Sequence, residues 1–312
     1  MTHMLDIQGL TKRFGALVAV DNITFQVDRG AVLGFLGPNA AGKTTTMRMI
    51  AGFLAPTAGR ALVCGYDVVE EPIEVKRRVG YLPEGAPLYE DMTPVGFLGF
   101  VAATRGITGA ARRAAIDRAA EHLQLGEVLH QPIGTLSKGF KRRVGLAHAI
   151  LHDPDVLILD EPTDGLDPNQ KHDVRELIHR MAADKAIVIS THLLEEVTAV
   201  CTRAIIIARG RLVADATPEE LLAMSAYHNA VAVRLPATEA DRARAIFARL
   251  PGVANIEIAD TIGGVAALTV MPTNGVEIVN AVSAAARGFE LAEIRVESGR
   301  LDEVFRRITL GR

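Results

Sequence analysis

Three observations predict an α/β protein of two units. An apolar run at residues 31–36 is followed at once by a Gly-containing loop and a helical pattern, the order of a phosphate-binding unit. Two further apolar runs, 156–159 and 186–190, each stop at polar residues, as parallel strands buried on both faces do. Near Tyr227 the composition changes. The order then becomes strand, helix, strand, strand, helix, strand, which is the β-α-β-β-α-β order of a ferredoxin-like α+β unit.

Taken along the chain, residues 5–10 and the alternating Ile23, Phe25 and Val27 read as short strands, separated by the turn-prone pairs Phe14-Gly15 and Asp21-Asn22. Residues 31–36 form the first buried strand and 43–50 the helix after it. Residues 94–129 carry helix formers at helical spacing and read as a helical insert. The strands at 156–159 and 186–190 follow, and 204–208 opens a hairpin that turns at Arg209-Gly210. In the tail, strands at 230–235, 253–258, 265–270 and 291–296 alternate with helices at 239–250 and 276–286. A last helix begins near Ser298. Its Leu301, Val304, Phe305 and Ile308 stand at i, i+3, i+4 and i+7, so it has one apolar face that must dock on something. The Ala- and Val-rich tail shows no ligand constellation, and dimerisation or regulation is its expected role.

Composition narrows the function. The 312 residues suffice for about two domains. With 34 Lys plus Arg against 37 Asp plus Glu the net charge is −3, so nucleic acid is not an expected partner. The longest uncharged stretch, 261–276, contains Pro272, Thr273 and Asn274, whereas a membrane-spanning helix needs roughly 18 consecutive apolar residues. Asp6 stands where a signal peptide would carry its apolar core. Cys64 and Cys201 are far apart and lack CxxC spacing, which fits packing residues in a reduced, cytoplasmic chain.

The chemistry is concentrated in a few motifs. Gly37, Pro38, Asn39, Ala40, Ala41, Gly42, Lys43 and Thr44 satisfy G-x-x-x-x-G-K-[ST] between a predicted strand and a predicted helix, with Thr45 next in that helix. The glycines let backbone N–H groups wrap phosphates, Lys43 neutralises their charge, and the Thr44 hydroxyl is a Mg²⁺ ligand. Asp160 and Glu161 end an apolar strand, where ligands of open α/β sheets bind; Asp160 can face the metal while Glu161 reaches an attacking water.

The segment Leu136-Ser137-Lys138-Gly139-Phe140 is more specific. Here the sequence resembles the ATP-binding-cassette (ABC) family of ATPases, whose signature L-S-G-G-Q is matched by Ser137 and Gly139, with Lys138 and Phe140 as departures. Lys-Gly at these positions is similar to the drug, polysaccharide and gliding-type exporters whose ATPase is a separate chain. A helix capped by Ser137 is also an anion site on physical grounds. By the same resemblance Phe14 matches the aromatic that stacks on adenine, and Glu84 holds the Q-loop position, where Gln is usual. Residues 164–167 match the D-loop, and His192 matches the switch histidine at the γ-phosphate. Ala40 stands where the family usually has Gly; at positive φ it would be strained by about 1 kcal/mol, with ATP binding expected to survive.

The resemblance implies a P-loop NTPase cassette over residues 1–225, with a RecA-like core, an antiparallel β subdomain and a helical subdomain at about 94–150, followed by a ferredoxin-like domain over 226–312. It implies ATP and Mg²⁺ as ligands, with Thr44, Asp160 and Glu84 at the metal and Glu161, His192 and Glu84 as the catalytic residues. It implies a head-to-tail homodimer in which Ser137 to Gly139 of one subunit close on the ATP held by the other. The partner implied is a membrane permease on a separate chain, with this protein peripheral at the inner face of the membrane. A groove near residues 84–93, with Leu88, Tyr89 and Met92 as apolar contacts, is where that partner is expected. Lys138, Lys141, Arg142 and Arg143 are expected around phosphates. The competing reading is a soluble ABC ATPase of translation or DNA repair.

Overall fold

Residues 3–85 and 87–310 are described by a computed structural model, so Met1 and Thr2, Ala86 of the expected groove segment, and the last two residues lie outside the described residues. The chain opens with β1 (Leu5–Phe14), β2 (Leu17–Val27) and β3 (Val32–Leu36), then α1 (Lys43–Ile50), β4 (Ala58–Val63), β5 (Tyr66–Asp67), α2 (Pro72–Arg78) and β6 (Val79–Leu82). The helical insert is α3 (Pro94–Thr104), α4 (Gly109–His122) and α5 (Lys138–Ile150). The core resumes with β7 (Val156–Asp160), α6 (Pro168–Ala182), β8 (Ala186–Thr191), α7 (Leu194–Val200), β9 (Arg203–Ala208) and β10 (Arg211–Ala216).

The principal sheet has the order β10-β9-β3-β8-β7-β6, with β9, β3, β8, β7 and β6 parallel and β10 antiparallel at one edge. Every residue of β3, β7 and β8 is buried, which explains why these strands read as unbroken apolar runs. A second, antiparallel sheet, β2-β1-β4-β5, packs its alternating Leu5, Ile7, Ile23 and Phe25 into the same core as Leu33, Phe35 and Met47. Here the strands run longer than their sequence suggests. Asp21-Asn22 is no turn but an irregular step inside β2, where Asn22 takes φ 51 and its N–H donates to Thr11 Oγ1. Asparagine tolerates that left-handed geometry.

The chain divides between Ala216 and Thr217, rather than after residue 225. The reason is α8 (Pro218–Ala223), a capped helix that packs on α11 (Leu301–Leu310) instead of continuing the first unit. Between them lie β11 (Val231–Pro236), α9 (Ala240–Phe247), β12 (Val253–Ile262), β13 (Val265–Pro272), α10 (Val279–Ala286) and β14 (Glu293–Val296). The sheet order β12-β13-β11-β14 is that of a split β-α-β unit. Leu301 and Val304 supply the buried face of α11.

Candidate nucleotide site

The loop after β3 is shaped by close backbone approaches. A Cβ on Gly37 would lie 2.5 Å from the Ile207 carbonyl oxygen of β9, and one on Gly42, at φ 109, would lie 2.5 Å from that of Ala19. Between them Ala40 adopts φ 61, the left-handed region that favours glycine. Helix α1 starts at Lys43 with no side-chain cap, so its first-turn N–H groups remain available at the positive end of the helix. Lys43 is 8% exposed and turns back over the loop, its Nζ donating to the carbonyls of Gly37 at 2.6 Å and Pro38 at 3.2 Å. Burial pushes the ammonium below its ordinary pKa, against the opposing pull of Glu161, Asp160 and Glu84.

Because β7 pairs with β8 in parallel register, the two strand ends deliver their polar residues side by side, Asp160 opposite Ser190. Asp160 is 1% exposed, and its Oδ2 has no hydrogen-bond partner. Glu161 stands at φ 51, its N–H donating to the Ser190 carbonyl at 2.9 Å, and its Oε2 lies 2.9 Å from Nδ1 of His192. A non-glycine residue in that backbone region costs on the order of 1–2 kcal/mol, and the contacts around it hold the carboxylate toward His192.

These elements enclose a cavity of about 830 Å³ lined by Asn39 to Thr45, Glu84, Asp160, Glu161, Asp164, His192 and, at its rim, Phe14 with Leu17 and Ala19. Phe14 is 49% exposed at the end of β1, so it is not a core residue, and Lys12 Nζ lies 5.3 Å from its ring centre.

Not every expected residue lies here. Ser137 caps α5, accepting from the Phe140 N–H at 3.3 Å, and neither it nor Gly139 lines this cavity. The basic cluster after them does not surround this loop. Lys138 pairs with Asp164 at 2.8 Å, holding that carboxyl below its usual range, and Lys141 pairs with Glu90 at 2.9 Å. Arg142 is buried. Its guanidinium donates to the carbonyls of Pro83 at 3.1 Å, of Pro162 at 3.4 Å, and of Asp160 and Glu161. Arg143, also buried, reaches the Leu123 carbonyl, Gln124 and Asp173. Sequence reasoning missed both roles, although the spacing of Gly139, Arg142, Arg143 and Leu146 at i, i+3, i+4 and i+7 marks the buried face of α5.

A second cavity of about 970 Å³ lies between the core and the helical insert. Phe53, Ile73, Tyr89 and Phe100, 67%, 60%, 58% and 47% exposed, all converge on it, with Leu88 beside them. Met92 does not line it; its backbone carbonyl accepts from Ile133 instead.

Comparison with known proteins agrees with this geometry. The family model described as "ABC transporter" matches residues 20–164. The chain is 37% identical over 222 residues to the Nod factor export ATP-binding protein I of Ralstonia nicotianae, a match covering 71% of this chain and 69% of that protein. The chain belongs to the ABC transporter family. The cassette is also 37% identical over 224 residues to the probable multidrug ABC transporter ATP-binding protein YbhF of Escherichia coli; that match covers 72% of this chain but only 39% of YbhF. Among solved structures, an ATP-binding subunit of an ABC transporter superposes with TM-score 0.65 at 30% identity, covering 70% of this chain and 91% of that one. The dimeric cassette MJ0796 in a post-hydrolysis state with ADP and Pi, 20% identical, shares the fold with TM-score 0.64 over 69% of this chain and 99% of its own.

Proposed function

We propose that this chain binds and hydrolyses ATP and that the resulting closure of two cassettes drives a membrane transporter, an exporter by the likeness of its relatives. The observation that carries the reading is the convergence of Lys43, Asp160, Glu161 and His192 on one cavity. ATP lies with its phosphates on the N–H groups of residues 39–45 and its adenine against Phe14, and Lys43 exchanges the carbonyls it now holds for the β- and γ-phosphates. Glu161 orients the attacking water, and His192, in contact with that carboxylate, lies where the γ-phosphate ends. Glu84 lines the same cavity and responds to nucleotide there. In the closed dimer, Ser137 and Gly139 of the second subunit complete the site at the free end of α5.

The residues present fit Mg²⁺. Asp160 offers an unpartnered, buried oxygen, Thr44 a hydroxyl, and among the described residues no group of three or more His, Cys, Asp or Glu could form a complete cage. Two protein ligands with substrate phosphates are what this ion favours, and when bound it neutralises phosphate charge. Asp160 and Thr44 would hold it.

No helix among the described residues is long and apolar enough to cross a membrane. The four exposed apolar side chains at the second cavity favour a partner protein there over a free-standing ATPase. We place a permease on a separate chain at this groove, with the cassette at the inner membrane face. The catalytic reading is tested with Glu161→Gln: turnover falls about 10²- to 10⁴-fold while ATP still binds and holds the chain as a closed dimer. Unchanged turnover removes Glu161 from the mechanism. Co-purification with a membrane protein from native membranes tests the partner.

A further inference from the structure

We propose that the C-terminal unit carries an interface of its own, in which β14 pairs antiparallel with β14 of a second copy of this chain and makes their two sheets continuous. The sheet order leaves β14 bonded only to β11, and all four of its residues are exposed, Ile294 by 38% and Val296 by 45%. The opposite edge, β12, is broken by two register shifts, a common guard against edge pairing, whereas the β11–β14 register runs without a break through Val231↔Val296, Ala232↔Arg295, Val233↔Ile294 and Arg234↔Glu293.

That register determines which atoms are free. The N–H of Glu297 donates to the Ala230 carbonyl at 2.8 Å, on the same register. Hydrogen-bonded pairs alternate along an antiparallel ladder, so Glu293 and Arg295 turn their N–H and C=O groups to β11, while Ile294 and Val296 turn theirs to the open edge. A two-fold axis between Ile294 and Ile294 of the second copy lets the two residues exchange both hydrogen bonds. Glu293 then faces Arg295 of the second copy, and Arg295 faces its Glu293, at the closer-spaced non-hydrogen-bonded positions.

Other centres do not fit. Pairing about Arg295 sets two guanidinium groups against each other and needs backbone atoms already bonded to β11. Pairing about Val296 sets Arg295 against Glu297, whose carboxylate is already held by Arg300 at 2.9 and 3.0 Å. In the register about Ile294 the new ladder ends at the central pair, because Val296 faces Ala292, whose N–H donates to the Arg234 carbonyl at 2.8 Å. In the single chain the facing charges have only loose partners, Arg234 at 3.6 Å from Glu293 and Glu297 at 3.8 Å from Arg295. The register about Ile294 is therefore the one in which both facing charges lack a close partner within their own chain.

This association needs no nucleotide, so it is separable from ATP-driven closure of the cassettes. Sedimentation of the nucleotide-free full chain over a concentration series reads it directly. Wild-type chain forms a dimer. Glu293→Arg and Arg295→Glu each set like charges opposite one another and weaken the dimer about tenfold, and an equimolar mixture of the two variants associates as wild type does, because each now complements the other. Ile294→Pro removes an outward N–H that the β11 ladder does not use, and abolishes the dimer. A monomeric nucleotide-free wild type, charge variants that associate like wild type, or a mixture no tighter than its components overturns the proposal.

Discussion

The cassette carries two cavities of similar size, about 830 and 970 Å³, built from opposite materials. The first is lined by one lysine, four carboxylates and a histidine; the second by aromatic and aliphatic side chains with Lys76, Arg77 and Arg105 and no carboxylate. In the first, Lys43 rests on loop carbonyls and Glu161 on His192, while Asp160 keeps a buried oxygen unpaired. Buried polar groups left short of partners are costly, so this cavity favours a charged, hydrogen-bonding ligand. The second exposes apolar surface, which favours a protein partner. The contrast is the physical basis for proposing chemistry at the first and coupling to a partner at the second.

The largest effect expected is in the first cavity. Lys43→Ala removes the one ammonium that lines it and lowers ATP affinity about a hundredfold or more, read by titration with fluorescent ATP. Unchanged affinity would break the assignment of chemistry to this cavity. Next is a change confined to the second: Phe100→Asp places a charge on its apolar face and reduces capture of the membrane partner about tenfold, with nucleotide affinity unmoved. Were ATP affinity to fall instead, the two cavities would not be separate in function.

A smaller effect comes from pH. Burial pushes His148 from 6.5 down to about 4 and His152 down to about 3, with Arg105 adding to both. These imidazoles are neutral in the folded cassette, while in the unfolded chain they bind protons near their ordinary value. Between about pH 6.5 and pH 3 the unfolded chain therefore holds more protons, and stability drops as pH falls through this window, by on the order of a few kcal/mol. Denaturant midpoints at pH 7 and pH 4.5 measure the loss. His148→Phe, beside Phe97 with ring centres 5.7 Å apart, reduces it.

What the sequence disclosed follows from how local each signal is. The phosphate loop and the Asp160-Glu161 strand end are each fixed by a buried strand and the residues just past it, so pattern suffices; His192 also follows a buried strand, but its role came from the family likeness. The aromatic Phe14 needed the family likeness, since only the fold places it half-exposed at a cavity rim. Arg142 was illegible as a charge in a basic run. Its burial depends on α5 facing the loop after β7, and its partners are carbonyls, which leave no mark in a sequence. The unit boundary was displaced for a similar reason, because α8 belongs by composition to the first unit and by packing on α11 to the second.

The smallest effect concerns backbone strain, and it sharpens the contrast between the cavities. Among the described residues, the non-glycine positions at positive φ include Ala40 and Glu161, both lining the first cavity, and none that lines the second. Strain of this kind persists where surrounding contacts over-determine the chain, as at a ligand site. At Ala40, φ 61 costs an L-residue about 1–2 kcal/mol, and glycine removes that cost while adding roughly 0.5–1 kcal/mol of unfolded-chain entropy. Ala40→Gly therefore stabilises the chain by about 0.5–1 kcal/mol in denaturant melts, with ATP affinity retained, if the loop is already set in its binding conformation. A tenfold rise in ATP affinity would instead show that Ala40 holds the loop away from that conformation. In that event the strain would oppose binding, and the two cavities would differ in readiness as well as in material.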